Sequence, residues 1–311
     1  MIKINMHGRL GNQLFQYAFA RAIAARTGEE IIIDFNNVIN HPNANSGFGW
    51  TDSLKDFNVR PYKVYKGALP VIFYHATLGQ VRSAILSKSI TVDRNQIQKR
   101  YQAELKYCDF FNSSGFYCIS NGYYPFNLDR KNVYLSGSFE SPKYFSSIES
   151  IIFDEFQPKV GIKKQNLKLS GILSSRQSVC VSIRVFSEIS SKNPSANLRN
   201  VCGISYYKRA IEIIRQKLSD PLFYICSNDI NWVRNNLNTN LNDFIFEKSD
   251  EETWEKLRLM YQCKHFIISN STFSWWAQYL SRNKDKIVVS PKKWFNDEFN
   301  SPLIDKKWVL L

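Results

Sequence analysis

"IKINMHGRLGNQLFQYAFARAIAARTGEEIIIDF", residues 2–35, holds two strand patterns and one helix pattern in a single run. Residues 2–6 read as a short apolar strand. Gly8 and Gly11 then mark a tight turn that brings backbone close to a ligand or to the following helix. From 12 to 27, Leu14, Phe15, Ala18, Phe19, Ala22 and Ile23 recur at helical spacing, and Gly28 closes the pattern. Residues 30–35 form the next apolar run. Strand–helix–strand is the usual start of a parallel α/β sheet.

The same alternation returns in the second half. Strands are predicted over 179–185, 222–227, 243–248, 265–269 and 286–290. Helices are predicted over 204–218, 230–237, 251–263 and 273–282. This predicts a second doubly wound domain. The stretch 36–130 is less regular, with a basic helical pattern over 78–106, and 132–145 reads as a strand, a turn and a helix start. The fold class is therefore α/β, with domains at 1–155 and 156–311.

The chain has 311 residues, enough for two domains of ordinary size. Its formal charge of +14 favours anionic partners such as phosphates, nucleotides or an acidic membrane surface. No nucleic-acid recognition motif is present, so a nucleic-acid partner is not expected. The six cysteines form no CxxC pair and the four histidines are scattered, so no metal-binding spacing appears. Such cysteine usage fits a reducing compartment. No signal-peptide core opens the chain, and no apolar run approaches the ~20 residues of a membrane helix. A cytoplasmic protein is expected, with the anionic inner face of the membrane as a resting place.

Ligands of open parallel sheets bind beyond the carboxyl ends of the strands. Gly8-Arg9-Leu10-Gly11-Asn12-Gln13 follows the first strand. Ser182 and Arg184 stand at the end of 179–185, Asn228 and Asp229 follow 222–227, and Asn270-Ser271-Thr272 follow 265–269. A helix start offers unpaired N–H groups and partial positive charge, and added hydroxyls suit it to phosphate. Ser271 or Thr272 as a plain N-cap is the competing reading. Arg184 closes an apolar strand, where a guanidinium must reach solvent or grip an anion. Asp229 either accepts from a nucleoside or opens a helix. Of Trp275 and Trp276, at least one should pack on the sheet, with the other free to line a cleft wall.

Several segments together resemble family 11 glycosyltransferases, the α-1,2-fucosyltransferases. "GRLGNQLFQYAFARAIA" (8–24) is similar to that family's G-G-L-G-N-Q-M-F-Q-Y-A opening, and "NSTFSWWAQYL" (270–280) to its N-S-T-F-S-W-W-G-A-W-L. "LSGSFESPKYF" (135–145), "ISYYKRAI" (204–211), "FYICSNDINWVRNNL" (223–237) and "KIVVSPKKWFND" (286–297) match further segments in family order. The resemblance implies two facing Rossmann-like domains of GT-B type, the first on the acceptor side and the second binding the nucleotide sugar. It implies inverting transfer of L-fucose from GDP-fucose to a glycan hydroxyl, forming an α-1,2 linkage in O-antigen or capsule synthesis. No metal and no cofactor are implied. An acceptor carried on a lipid diphosphate would suit the basic surface.

The resemblance also assigns roles. Arg184 would hold the donor diphosphate, with Ser182, Asn270, Ser271 and Thr272 around it, and Asp229 the nucleoside. Gly11, Asn12 and Gln13 would line the cleft from the other domain, with Asn12 beside the reacting groups. One motif departs: the family's H-x-R-R-G-D-Y reads "SIRVFSE" (182–188), and only its first arginine, Arg184, remains. Glu188 is then the candidate general base, with Asp34 behind it. The departure leaves room for a related GDP-sugar transferase of different donor or linkage, or for a binding homologue without catalysis.

Overall fold

The computed structural model describes residues 1–311 except 45–48, 66, 68–76, 83, 85–95, 187–193, 238–241 and 249. The chain divides into two compact units: Met1–Phe156 with Asp297–Leu303, and Gln157–Asn296 with Ile304–Leu311. Residues 297–303, assigned from the sequence to the second domain, therefore cluster with the first. Phe299 and Leu303 are buried, and the Phe299 ring meets Tyr101 edge-on at 5.4 Å.

The first unit is built on a parallel sheet. Its strands are β1 (Ile2–Asn5), β2 (Ile31–Asp34), β3 (Lys63–Val64), β4 (Phe116–Tyr117) and β5 (Val133–Leu135), in the order β3-β2-β1-β5-β4. Helix α1 (Leu10–Thr27) joins β1 to β2 and ends at Gly28, whose φ of 73° is left-handed. Phe19 of α1 lies at the centre of an aromatic cluster with Tyr117, Phe126, Phe139 and Tyr144. Helix α2 (Ile97–Ser113) packs beside β4. Strands β3 and β4 escaped the sequence reading because each is too short to show a period.

The second unit has six parallel strands: β6 (Ser178–Ile183), β7 (Leu222–Ser227), β8 (Phe244–Phe246), β9 (His265–Ile267), β10 (Val288–Ser290) and β11 (Val309–Leu310). Their order is β11-β10-β9-β6-β7-β8. All six residues of β6 are buried, as expected of a central parallel strand. Val179, Val181 and Ile183 form one core with Tyr207, Ala210, Ile211 and Ile214 of helix α3 (Ile204–Lys217) and Val233 of helix α4 (Ile230–Asn236). The alternate residues of β6 face the other way. On that side Ser182 meets Ser274 of helix α6 (Thr272–Leu280), which packs on α5 (Thr253–Tyr261). The expected α/β fold class, with two Rossmann-like units, is what the structure shows. All six cysteines are buried and free of disulfides. No helix among the described residues is long and apolar enough to cross a membrane.

Candidate active site

The second unit brings its candidate residues to the carboxyl ends of three neighbouring strands, β9, β6 and β7. Arg184 follows β6. Its backbone N–H donates to the Tyr207 hydroxyl at 3.2 Å, and its guanidinium lies 5.2 Å from the Phe186 ring centroid. Phe186, one of the residues that replace the family pattern, thus supports the face of the arginine it follows. Between them Val185 is clipped to Asn228: its N–H donates to Oδ1 at 2.8 Å and its carbonyl accepts from Nδ2 at 2.9 Å.

Helix α6 begins at the end of β9. Ser271 holds the N-cap position but makes no side-chain cap bond. Its partly exposed hydroxyl stands with that of Thr272 at the helix start. One turn in, Ser274 is buried; its hydroxyl lies 2.6 Å from Ser182 Oγ and 3.0 Å from Ser269 Oγ. This serine chain welds the helix start to the ends of β6 and β9.

Three of the expected site residues have partners within the protein. Ser182 is buried, and its hydroxyl meets that of Ser274 and braces the helix. Asn270 uses its Nδ2 on the carbonyls of Arg199 and Trp294, both at 2.8 Å, and ties loops together. Gln13 is fully buried: its Nε2 donates to the Gly8 and Thr51 carbonyls at 3.0 and 2.9 Å, and its Oε1 accepts from Ser53 N–H at 3.0 Å. It clamps the turn. Gly11 is likewise buried in the first turn of α1, whereas Asn12 is half-buried. Gly8, with φ 75°, is the glycine the turn requires, since a Cβ there would fall 2.8 Å from Asn12 Cβ.

Asp229 is exposed and caps α4, its Oδ1 accepting from Trp232 N–H at 2.9 Å. Glu188 lies outside the described residues. Trp275 and Trp276 are both buried, so neither lines a cleft wall. A depression bounded by Arg176, Arg215, Asp220, Asn242 and Asp243 lies at the opposite, amino ends of the strands. Its two arginines are paired with Asp220 and Asp243 at 2.7 Å, which cancels their charge.

The model of the family described as Glycosyl transferase family 11 matches residues 1–311. The chain belongs to that family. Two Escherichia coli relatives align end to end with this glycosyltransferase. The O-antigen biosynthesis glycosyltransferase WbnK is 26% identical, covering 98% of this chain and 99% of the relative. An alpha-1,2-colitosyltransferase is 24% identical, covering 99% and 98%. A galactoside alpha-(1,2)-fucosyltransferase 1 of Lagothrix lagotricha is 35% identical over 86 residues, 27% of this chain and 24% of the relative.

One carboxylate of this family 11 enzyme was missed from the sequence. Glu247 follows β8, is 7% exposed, and accepts from Ser227 N–H at 2.7 Å, with Lys256 Nζ at 3.7 Å. Burial pushes its carboxyl above the usual carboxylate range, against the pull of Lys256. It fastens the end of β7 just before Asn228 and Asp229. Extending the strand-end rule to "FIFE" (244–247) would have found it.

Proposed function

We propose that the enzyme transfers L-fucose from GDP-fucose, with inversion, to a hydroxyl of a glycan acceptor, forming an α-1,2 linkage in cell-surface polysaccharide synthesis. The observation that carries this reading is the placement of Arg184 and the start of α6 at the ends of paired strands, β6 and β9. In the reaction the bond from the anomeric carbon to the diphosphate oxygen breaks and GDP leaves. The acceptor oxygen bonds to the opposite face of that carbon, and its proton passes to a base. The Arg184 guanidinium and the N–H groups of α6 stabilise the charge that grows on the diphosphate. Ser271 and Thr272 add hydroxyl donors, and the exposed Asp229 carboxylate accepts from the nucleoside. The relatives named for O-antigen synthesis and for α-1,2-fucosyl transfer support the acceptor class and linkage. A panel of GDP-sugars in calorimetry, followed by linkage analysis of the product, tests the whole reading.

A second reading keeps the chemistry and changes the sugar. The end-to-end relative named an alpha-1,2-colitosyltransferase and the altered "SIRVFSE" favour it. The same donor panel separates the two.

Two results are expected here. Thr272→Val removes a hydroxyl at similar volume and should weaken GDP-sugar binding about tenfold with little change in melting temperature. Early melting with normal donor binding would make Thr272 a cap alone. Transfer should also persist in EDTA. The chain has no Asp-x-Asp pair, and among the described residues no three His, Cys, Asp or Glu side chains are grouped to hold a metal. Turnover that stops in EDTA and returns with Mg²⁺ or Mn²⁺ would overturn this.

A further inference from the structure

The first unit carries a charged cluster that the donor chemistry does not use. His7 follows β1, Ser138 follows β5 and Ser120 follows β4, and these strands are neighbours in the sheet. The three residues therefore stand side by side along the carboxyl edge, where ligands of such sheets bind. His7 Nε2 and Ser138 Oγ are 3.3 Å apart.

Arg82, from helical residues 77–82, and Arg100 of α2 both donate to the Ser120 hydroxyl, at 2.8 and 3.0 Å. Both converge on Glu104: Arg82 by a direct hydrogen bond, Arg100 with its Nε 3.7 Å from the carboxylate. Glu104 also accepts from Ser120 N–H at 2.8 Å and from Ser120 Oγ at 2.6 Å.

Two guanidiniums thus share one carboxylate, and the cluster keeps a net positive charge. Glu104 is deeply buried, with a side chain 2% exposed, whereas those of Arg82 and Arg100 are 17% and 35% exposed. The carboxylate and the serine do not exhaust the donors either, since Nε of each arginine is buried without a hydrogen-bond partner. Such buried donors in a native protein call for a reason. The positive field also reaches the neighbouring group. Burial, reinforced by Arg82, holds the His7 imidazole below its ordinary pKa. A purely structural ion pair would need one arginine for one glutamate. A second, partly exposed arginine at a strand edge is what a planar oxyanion site needs.

We propose that Arg82 and Arg100 bind an oxyanion of the acceptor, a phosphate or a carboxylate, at the carboxyl edge of the first unit. The proposal rests on the glycosyltransferase reading in treating this unit as the acceptor side. The anion has two possible sources, a diphosphate that carries the acceptor glycan and an acidic sugar within it.

The test uses the whole protein with GDP at saturation, which occupies the donor site. Inorganic pyrophosphate and glucuronate are then titrated in separate calorimetric runs. One of them should bind to the GDP-loaded protein: pyrophosphate if the source is a diphosphate, glucuronate if it is an acidic sugar. Arg100→Gln should weaken that binding about tenfold or more and leave GDP affinity unchanged. Arg100→Lys, which keeps the charge, should retain most of it. Arg184→Ala should do the reverse, losing GDP affinity and keeping the second anion. No binding of either anion to the GDP-loaded protein would overturn the proposal. So would an Arg100→Gln variant that melts early but binds the anion like the parent, because the pair would then be only a brace. Failure of GDP to bind would instead overturn the donor reading, and the Arg100 variants would still decide this one.

Discussion

Arg184→Ala should lower transfer by at least about 100-fold and weaken GDP binding by about tenfold to 100-fold, in a protein that still folds. Among the described residues that follow β6 directly, 184–186, the guanidinium is the positive group, because the family's second arginine is Val185 here. In the proposed reaction the departing diphosphate gathers charge that must be met in place, and a planar fork of N–H donors meets two oxygens at once. The backbone at this point is held independently of the side chain. Arg184 N–H is bonded to Tyr207, and Val185 is clipped on both sides by Asn228. Truncation therefore removes the charge without releasing the turn. Arg184→Lys keeps charge and loses the fork, so it should fall between the parent and the alanine variant. GDP titration and melting of all three proteins check this, and unchanged GDP affinity in folded Arg184→Ala would dismiss the role.

Trp276→Ala should destabilise the second unit by about 3–5 kcal/mol, as large core truncations do. Trp276 is 0% exposed, so the variant opens a cavity the size of an indole. The ring also stands at 90° to Trp275 and 87° to Tyr279, with centroids 5.1 and 5.4 Å away. Edge-to-face pairs of this kind add stability beyond burial alone. Both partners lie on α6, so the loss should loosen the helix whose start carries Ser271 and Thr272. A shift of the urea midpoint with unchanged slope is the expected signature. A midpoint within experimental error of the parent would remove Trp276 from the core.

The parallel sheets were legible because their signals are local. Alternating apolar runs and helical spacing mark β6, β7, α1 and α3 within windows of a few residues. The strand-end rule likewise placed Arg184, Ser271, Thr272 and Asp229 on one edge. What stayed hidden depends on distant partners. Nothing near Gln13 announces that Thr51 and Ser53 will take its amide. Asn270 is fixed by carbonyls 71 and 24 residues away. Ser182 looked like a ligand-facing hydroxyl because Ser274, 92 residues on, carries no mark of its inward turn. Amides and hydroxyls suit donor contacts and internal bracing equally well, and composition does not separate the two uses. The Arg82–Arg100–Glu104 cluster hid for a related reason: its residues fall in what reads as one basic helical pattern over 78–106, and nothing in it announces that Ser120 will join them.

The return of residues 297–303 to the first unit has a consequence for how the molecule is made. A chain emerging from the ribosome usually completes its first domain before the second. Here the ring that meets Tyr101 belongs to Phe299, and buried Leu303 follows it. Until residue 303 has emerged, the first unit lacks pieces of its own interior, and Tyr101 keeps an open edge. The long wait costs little in loop entropy, which grows only slowly with length. Its effect is on order: the unit begun first is also among the last parts to be finished. A chain cut after 296 would therefore damage both units at once, stripping β11 from one and the Phe299 ring from the other.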